Sequence, residues 1–573
     1  MDIPAALHQP LKDYMRPSFS PYNFNLLYTL YSVPNIILPF FGGYLVDCLG
    51  ASFSSVLFAS FVFGGQSLFA WGLYRKSWPI LFGGRFLYGL GGECIGVATS
   101  TINSEIFKGK ELALAFGVNL AVSRLGSVLN NFASPRVAHR YGIVQAGALG
   151  VVMNVISLFC CFIIWKMQSE NKTSTNETTV NTVLLEGDTM TTLSQPLLQD
   201  DVHESSLPVQ EESSEIKSQE ADSTNSDHIV HVGNEEPVEL QQNQISLTES
   251  MLIQIRNFPC MFWLLSASCV VVYGCVLPFN NIASGILLER NYFTQPPAEC
   301  ILKYPYECST GTLAPPDGNS MSFNRNTGTQ CDLSDTVMPI LPVSIHVNKS
   351  SFDHEDEWDQ DSYDYQSLTP DDIDCNDPFW SISCTANYCK AQASATEDST
   401  KVMSIPYMLS ATLSPFFGFV VDRIGQRAVI AFASSLILII VHSCLSITTY
   451  VQDSNGLWID KAMSPVLPLI GQGFAYVCYA AAIWPSIPLV ISGDGVGTAF
   501  GTITAIQNIG LALFPLIIAR IYDWSGESYI PNVEYFFVTC AVFGSIIGVW
   551  LNVLDRKRDN VLNKVYSTNS DEA

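Results

Sequence analysis

Apolar and polar positions along the chain separate into long blocks instead of alternating every few residues. Eleven blocks of about twenty or more mostly apolar residues lie near 24–46, 54–74, 79–101, 113–133, 144–166, 258–284, 402–421, 428–448, 465–487, 498–520 and 534–554. A backbone inside hydrocarbon must satisfy its own hydrogen bonds, and a helix needs about 20 residues to cross the core. The blocks therefore predict membrane-spanning helices, and the fold class is all-α and polytopic. Buried helices of a large soluble enzyme would show hydrophilic faces recurring between the blocks, and none recurs.

Two internal repeats organise the blocks. Gly43-Tyr44-Leu45-Val46-Asp47-Cys48-Leu49-Gly50 closes the first block and Gly418-Phe419-Val420-Val421-Asp422-Arg423-Ile424-Gly425 the seventh, 375 residues later. Ala115-Phe116-Gly117 opens the fourth block and Ala499-Phe500-Gly501 the tenth, at a spacing of 384. Two pairs at nearly one offset predict two homologous halves, a recurrent transporter architecture with a site near the midplane where they meet. One apolar block precedes the Asp motif in the second half and none does in the first, so five helices face six. Residues 1–23, with Asp2, His8, Lys12, Asp13 and Arg16, cannot span. A further helix before Met1, absent through truncation, is the expectation; a true eleven-helix protein is the alternative.

Charge changes the picture by being local. Residues 168–250 hold 17 acidic and 2 basic side chains and residues 286–400 hold 19 and 5, against a whole-chain charge of −25. The rest is slightly basic, which argues against nucleic-acid binding. The expected organisation is an N-terminal bundle over 1–166, a disordered acidic linker over 167–257, and the first helix of the C-terminal bundle over 258–285. An acidic, cysteine-rich loop over 286–400, the rest of that bundle over 401–555 and a tail over 556–573 complete it.

The G-x-[LV]-V-D-x-x-G repeats, together with Gly84-Arg85-Phe86-Leu87-Tyr88-Gly89-Leu90-Gly91, resemble the major facilitator superfamily, whose two six-helix bundles rock about a central site. The first copy departs from that pattern, with Ala51-Ser52-Phe53 in place of trailing basic residues, which puts conformational locking by that loop in doubt. Leu27-Tyr28, Tyr31-Ser32, Pro34-Asn35, Gly91-Gly92-Glu93, Phe107-Lys108-Gly109-Lys110-Glu111-Leu112 and Gln507-Asn508 with Gly510-Leu511-Ala512 are similar to the superfamily's lysosomal dipeptide transporter family, over roughly 24–160 and 400–555. Pro4-Ala5-Ala6-Leu7 resembles the segment after that family's first helix. The resemblance implies a multi-pass lysosomal membrane protein exporting cationic Lys/Arg/His-containing dipeptides to the cytosol by alternating access, as a uniporter. It implies no bound cofactor, contact with membrane lipid, and a glycosylated lysosomal membrane accessory protein as partner; a homodimer is left open.

Sidedness follows from cysteines more than from basic residues. Superfamily topology puts Lys108, Lys110, Arg423, Arg427, Arg556, Lys557, Arg558 and Lys564 in the cytosol, against Arg75, Lys76, Arg136, Arg140, Lys461 and Arg520 opposite, a weak bias. The 286–400 loop holds Cys300, Cys308, Cys331, Cys375, Cys384 and Cys389, whereas 168–250 holds none. An even set in a polar loop indicates disulfides in an oxidising lumen, with the pairing open. A zinc site finds no tight Cys pair to build on. The sequon at Asn348 lies on the luminal side, those at Asn171 and Asn176 on the cytosolic side. Leu184-Leu185 and Leu197-Leu198 lack the acidic residue of a dileucine sorting signal.

Ionisable side chains within the blocks mark function, because each is costly in hydrocarbon unless paired or facing water. Arg85, Glu93 and Arg124 stand out. Counted along their helices at 1.5 Å per residue, Glu93 lies ~21 Å from one face and Arg124 ~16 Å from the other, so both sit near the middle. A zwitterionic peptide needs a planar donor for its carboxylate and an anion for its amine, which Arg124 and Glu93 supply. A permanent salt bridge between two helices is the alternative. The resemblance also assigns Glu93 and Arg124, before Leu125-Gly126-Ser127, to the dipeptide site. Gln507, Asn508 and Trp484, with Tyr479, are further substrate-binding candidates from the second half. Asp47, Arg85, Asp422 and Arg427 are gating candidates. His442 could relay protons, but with no carboxylate in helical register beside it, packing is the preferred reading. No phosphate-binding glycine loop, nucleophile elbow or metal-spaced His pair supports an enzyme. A transporter of another organic anion, sugar or proton-coupled solute, and a non-transporting receptor or scaffold, remain as rival functions.

Overall fold

In the computed structural model the described residues are 21–107, 111–190, 251–297, 385–448, 462–491 and 495–565, with short pieces among 7–19, 307–375 and 450–460. Lys108, Lys110, Lys461, the sequon at Asn348 and Leu197-Leu198 lie outside them.

The N-terminal half is built of α1 (Pro21–Ser32), α2 (Pro34–Leu49), α3 (Ala51–Arg75), α4 (Trp78–Ile106), α5 (Leu112–Tyr141) and α6 (Ile143–Met190). The second half contains α7 (Cys260–Leu287), α8 (Ala386–Met403), α9 (Ile405–Ile424), α10 (Arg427–Leu445), α11 (Val466–Val490), α12 (Val496–Trp524) and α13 (Asn532–Arg556). Every apolar block is helical. The first holds two helices because Pro34 has no N–H to return to the preceding turn.

Ten helical stretches among the described residues are long and apolar enough to cross a membrane. α4 is not one of them. At 29 residues it is long enough, at ~43 Å, but it carries Arg85, Glu93 and Glu105. The helix that fails on apolarity is thus the one that holds two of the candidate residues.

Two stretches differ from expectation. α6 continues to Met190, 24 residues past the point where a disordered linker was expected to begin. No glycine or proline falls between Gly150 and Gly187 to stop it. The segment over 286–400 contains structure of its own. It starts with a π-helical turn at Leu288–Tyr292 and ends in α8, which leads directly into α9. Short strands pair in two three-stranded sheets, β1 (Glu307–Cys308), β3 (Ser344–Val347) and β4 (Tyr363–Gln366) in one. β2 (Asp332–Leu333), β6 (Leu457–Asp460) and β5 (Tyr450–Gln452) form the other, so this segment pairs with the α10–α11 connection. Cys375 and Cys389 form a disulfide. The pairing of Cys300, Cys308, Cys331 and Cys384 lies outside the described residues.

The chain divides into two compact units, Met1–Phe162 with Gln254–Ala573, and Ile163–Ile253. Both halves of the helical fold belong to the first unit and share one buried apolar cluster, which joins Val97 and Phe116 to Tyr476 and Phe500. The repeats mark where helices of opposite halves cross most closely. A Cβ on Gly43 of α2 would lie 2.3 Å from the Gly497 carbonyl oxygen of α12, and one on Gly418 of α9 would lie 2.3 Å from the Ala113 carbonyl oxygen of α5. Only glycine lets the backbones approach so closely.

Candidate functional site

α4, α5, α7, α9, α11 and α12 line a cavity of about 340 Å³ between the halves. Glu93 of α4 and Arg124 of α5 both line it, with Tyr273 of α7, Tyr476 and Trp484 of α11 and Gln507 of α12 opposite. Its volume falls in the range typical of small-molecule pockets.

Glu93 and Arg124 do not form a salt bridge with each other. Glu93 accepts a hydrogen bond from the Tyr31 hydroxyl at 3.1 Å. Arg124 instead reaches across to the other half. Its Nη2 donates to the Tyr476 hydroxyl at 2.5 Å, and its guanidinium lies 5.5 Å from the Tyr476 ring centroid and 5.6 Å from that of Tyr407 on α9. The buried Arg124 Nε has no hydrogen-bond partner. One cavity therefore presents a cation and an anion that do not neutralise each other by contact. In a low-dielectric site each favours a counter-charge brought by a ligand.

The neutral candidates divide. Gln507 and Trp484 face the cavity, and Trp484 Nε1 donates to the Tyr273 hydroxyl at 2.6 Å. Asn508 is occupied elsewhere, its Nδ2 donating to the Asn35 carbonyl at 2.8 Å, so it ties α12 to α2. Tyr479 is fully buried and shares a hydrogen bond with Ser268 at 2.9 Å. The useful tyrosine of α11 is Tyr476, and helix geometry contains that signal. At 100° per residue Tyr476 lies about 80° around the helix from Trp484, whereas Tyr479 lies about 140° away. Tyr31, Tyr273 and Tyr407 were also missed, since each meets the site from another helix.

Three of the four gating candidates, Asp47, Asp422 and Arg427, occupy two related clamps. Asp47, at the end of α2, accepts hydrogen bonds from the Gly497 and Thr498 backbone N–H groups at 2.8 and 2.7 Å and from the Thr498 hydroxyl at 2.6 Å. Asp422, at the end of α9, accepts from the Ala113 and Leu114 N–H groups at 3.0 and 2.8 Å and pairs with Arg427 at 3.2 Å. Each aspartate thus binds the N-terminus of a helix from the other half, where unpaired N–H groups and the helix dipole favour an anion. Arg85 is separate from both. It is buried in the N-terminal half, its guanidinium 5.3 and 5.5 Å from the Tyr31 and Tyr88 ring centroids, with Nε donating to the Leu27 carbonyl at 3.5 Å.

His442 does have a carboxylate beside it, from a different helix. Its Nδ1 lies 2.8 Å from Glu534 Oε2, with both side chains fully buried. The packing reading of His442 is corrected accordingly: register along one helix cannot reveal a partner 92 residues away on α13. Among the described residues no group of three or more His, Cys, Asp or Glu is placed to hold a metal ion.

With this geometry in place, comparison with known proteins is informative. The model of the Major Facilitator Superfamily matches residues 4–284 and 338–566. The human lysosomal dipeptide transporter MFSD1 is 24% identical over 574 residues, covering 98% of this chain and 84% of the human protein. The zebrafish (Danio rerio) protein of that name is 23% identical, covering 100% and 87%. Among solved structures, the proton:xylose symporter XylE bound to 6-bromo-6-deoxy-D-glucose superposes with a TM-score of 0.50 at 10% identity, covering 97% of this chain and 90% of the symporter. That likeness extends to the fold. The long helices, the two related halves and the matched residues together make this chain a member of the Major Facilitator Superfamily, a multi-pass membrane protein of a transport family and not an enzyme.

Proposed function

We propose that the chain is a lysosomal uniporter that exports cationic dipeptides, bearing Lys, Arg or His, from the lumen to the cytosol by alternating access. Arg124 receives the peptide carboxylate, Glu93 the amine or basic side chain, Gln507 the peptide bond, and Trp484 walls the side chain. Asn508 joins the site only if its bond to the Asn35 carbonyl opens. The carrying observation is the unpartnered Nε of Arg124 in the same cavity as Glu93, with no ion pair between them. The relatives named as lysosomal dipeptide transporters support the substrate class and the compartment. A glycosylated lysosomal accessory protein belongs to the same reading.

Arg124 also suggests how binding reaches the gate. A carboxylate that takes its donors competes with Tyr476 for them, so the ligand is felt by both halves at once. Opening the other side then requires Asp47 and Asp422 to leave the helix ends they bind.

A thermal-shift titration of the purified chain against lysine-containing dipeptides and free lysine tests the reading. At about 100 times its dissociation constant a ligand stabilises the fold by roughly 2.7 kcal/mol. Dipeptides should stabilise and lysine should not. Arg124→Ala should abolish the effect, and Glu93→Gln should remove the preference for cationic over neutral dipeptides. A flat response from folded protein sinks the proposal.

A further inference from the structure

The cavity leaves one buried polar pair unused. His442 lies in the last turn of α10 and Glu534 in the first turn of α13, at the end of the C-terminal bundle opposite Asp422. They share a single contact of 2.8 Å, and the remaining atoms, His442 Nε2 and Glu534 Oε1, are buried with no hydrogen-bond partner. A buried ion pair repays its desolvation in full only when its remaining donors and acceptors are satisfied too. This pair fails that condition. We propose that His442 and Glu534 form a proton-binding site whose occupancy sets the rigidity of this end of the bundle.

With one proton added to the pair, an imidazolium faces a carboxylate and the site is neutral overall. When that proton leaves from Nε2, the imidazole keeps Nδ1–H toward Glu534 and the site carries a buried net negative charge. A buried carboxylate without a charged partner in contact is disfavoured, so the closed packing belongs to the loaded form. Two features favour the charged loaded form. The last turn of a helix stabilises a cation and the first turn an anion, which is where the two residues sit. The Phe537 ring stacks on the imidazole at 4.9 Å.

The neighbouring groups include one further buried cation. From the π-helical turn after α7, Arg290 is fully buried and donates to the carbonyls of Cys444, Leu445, Ile447 and Met463, so its charge opposes a second cation near the end of α10. The carboxylate in direct contact with His442 is the closer charge and prevails. Glu289 is engaged with the Ser528 hydroxyl and the N–H groups of Tyr529 and Ile530. The thiols on the facing helices are Cys275 of α7, directed at the Phe537 carbonyl, and Cys540 of α13, while Cys444 lies two residues further along α10. α11 carries no charged residue, its Tyr476 and Tyr479 hydroxyls are bonded to Arg124 and Ser268, and Cys478 is its remaining titratable group. Arg520 and Asp523 of α12 are exposed. The site stands on the C-terminal bundle alone, whichever solute the cavity takes.

The test is thermal unfolding of the full chain at about pH 5 and about pH 7.5, a span that brackets ordinary histidine titration. The acidic loops titrate in every variant, so the comparison is between the wild type and the double variant His442→Gln/Glu534→Gln. The wild type should lose several degrees more than the double variant on going to the higher pH. An equal loss overturns the proposal. Should the double variant not fold, amide exchange in the wild type decides, after correction for intrinsic rates. Residues 440–447 and 532–538 should be better protected at the lower pH relative to 427–435, at the other end of α10. A pH-independent ratio overturns the proposal.

Discussion

Asp47 and Asp422 hold helix N-termini of the opposite half by the same backbone geometry and different side chains. Both accept two successive N–H groups, and the residues involved are related by the repeat offsets, Gly497-Thr498 for one and Ala113-Leu114 for the other. The third contact differs. Asp422 has the guanidinium of Arg427, whose counterpart in the first half is Ser52; Asp47 has the Thr498 hydroxyl, whose counterpart is Leu114. The missing basic residues after Asp47 therefore do not leave that end unbound. The repeat preserves what the backbone demands and exchanges a charge on one side for a hydroxyl on the other. The second clamp includes a buried ion pair, with Arg427 only 2% exposed, and the first includes the Thr498 hydroxyl.

The largest expected effect breaks that difference. Asp422→Asn leaves Arg427 buried without its carboxylate, and such losses cost about 3–5 kcal/mol. Asp47→Asn weakens its hydrogen bonds from the Gly497 and Thr498 donors, at about 1–3 kcal/mol. Thermal unfolding of the two variants should rank them in that order, with amide exchange accelerated at 113–114 in the first and at 497–498 in the second. The reverse ranking would mean that Arg427 contributes little.

A smaller effect tests what the clamps share. Gly43→Ala and Gly418→Ala each place a methyl 2.3 Å from a facing carbonyl oxygen, so the backbones must part. Overpacking of this kind costs about 1–3 kcal/mol. The two melting temperatures should fall by similar amounts; a large asymmetry would show that one crossing carries most of the closure.

The fold was readable because hydrocarbon leaves few solutions: each apolar block had to be a helix, and the repeats had to be two halves. Glu93 and Arg124 were readable by the same physics, as charges at one depth in membrane helices. What escaped depends on how helices are rotated against one another. Tyr31, Tyr407 and Tyr476 complete the surroundings of Glu93 and Arg124 from three other helices, and Glu534 meets His442 in the same way. Periodicity along one helix gives its own faces, not which face a neighbour turns toward it. The pairing of Asp332–Leu333 with the strand at Leu457–Asp460 was out of reach for a similar reason, since strands of two to four residues carry little register information.

The smallest expected effect sharpens the comparison most narrowly. Thr498→Val keeps the shape of the side chain and both backbone donors to Asp47, removing only the hydroxyl bonded at 2.6 Å. The Thr498 hydroxyl oxygen also lies 3.2 Å from the Gln254 side-chain amide, so that contact is lost with it. A net hydrogen bond contributes about 1 kcal/mol, which sets the expected loss of stability. The same substitution beside Asp422 is impossible, because Leu114 is already apolar, and this supplies the control. Leu114→Thr gives the second clamp the hydroxyl of the first while Arg427 stays in place. If the hydroxyl and the guanidinium are alternative ways to complete one geometry, Leu114→Thr should gain little in the wild type and should recover part of the stability lost in Arg427→Ala. Recovery there, measured by thermal unfolding, would mean that the two halves diverged by exchanging equivalent third contacts; no recovery would mean that the buried charge does something at Asp422 that a hydroxyl cannot.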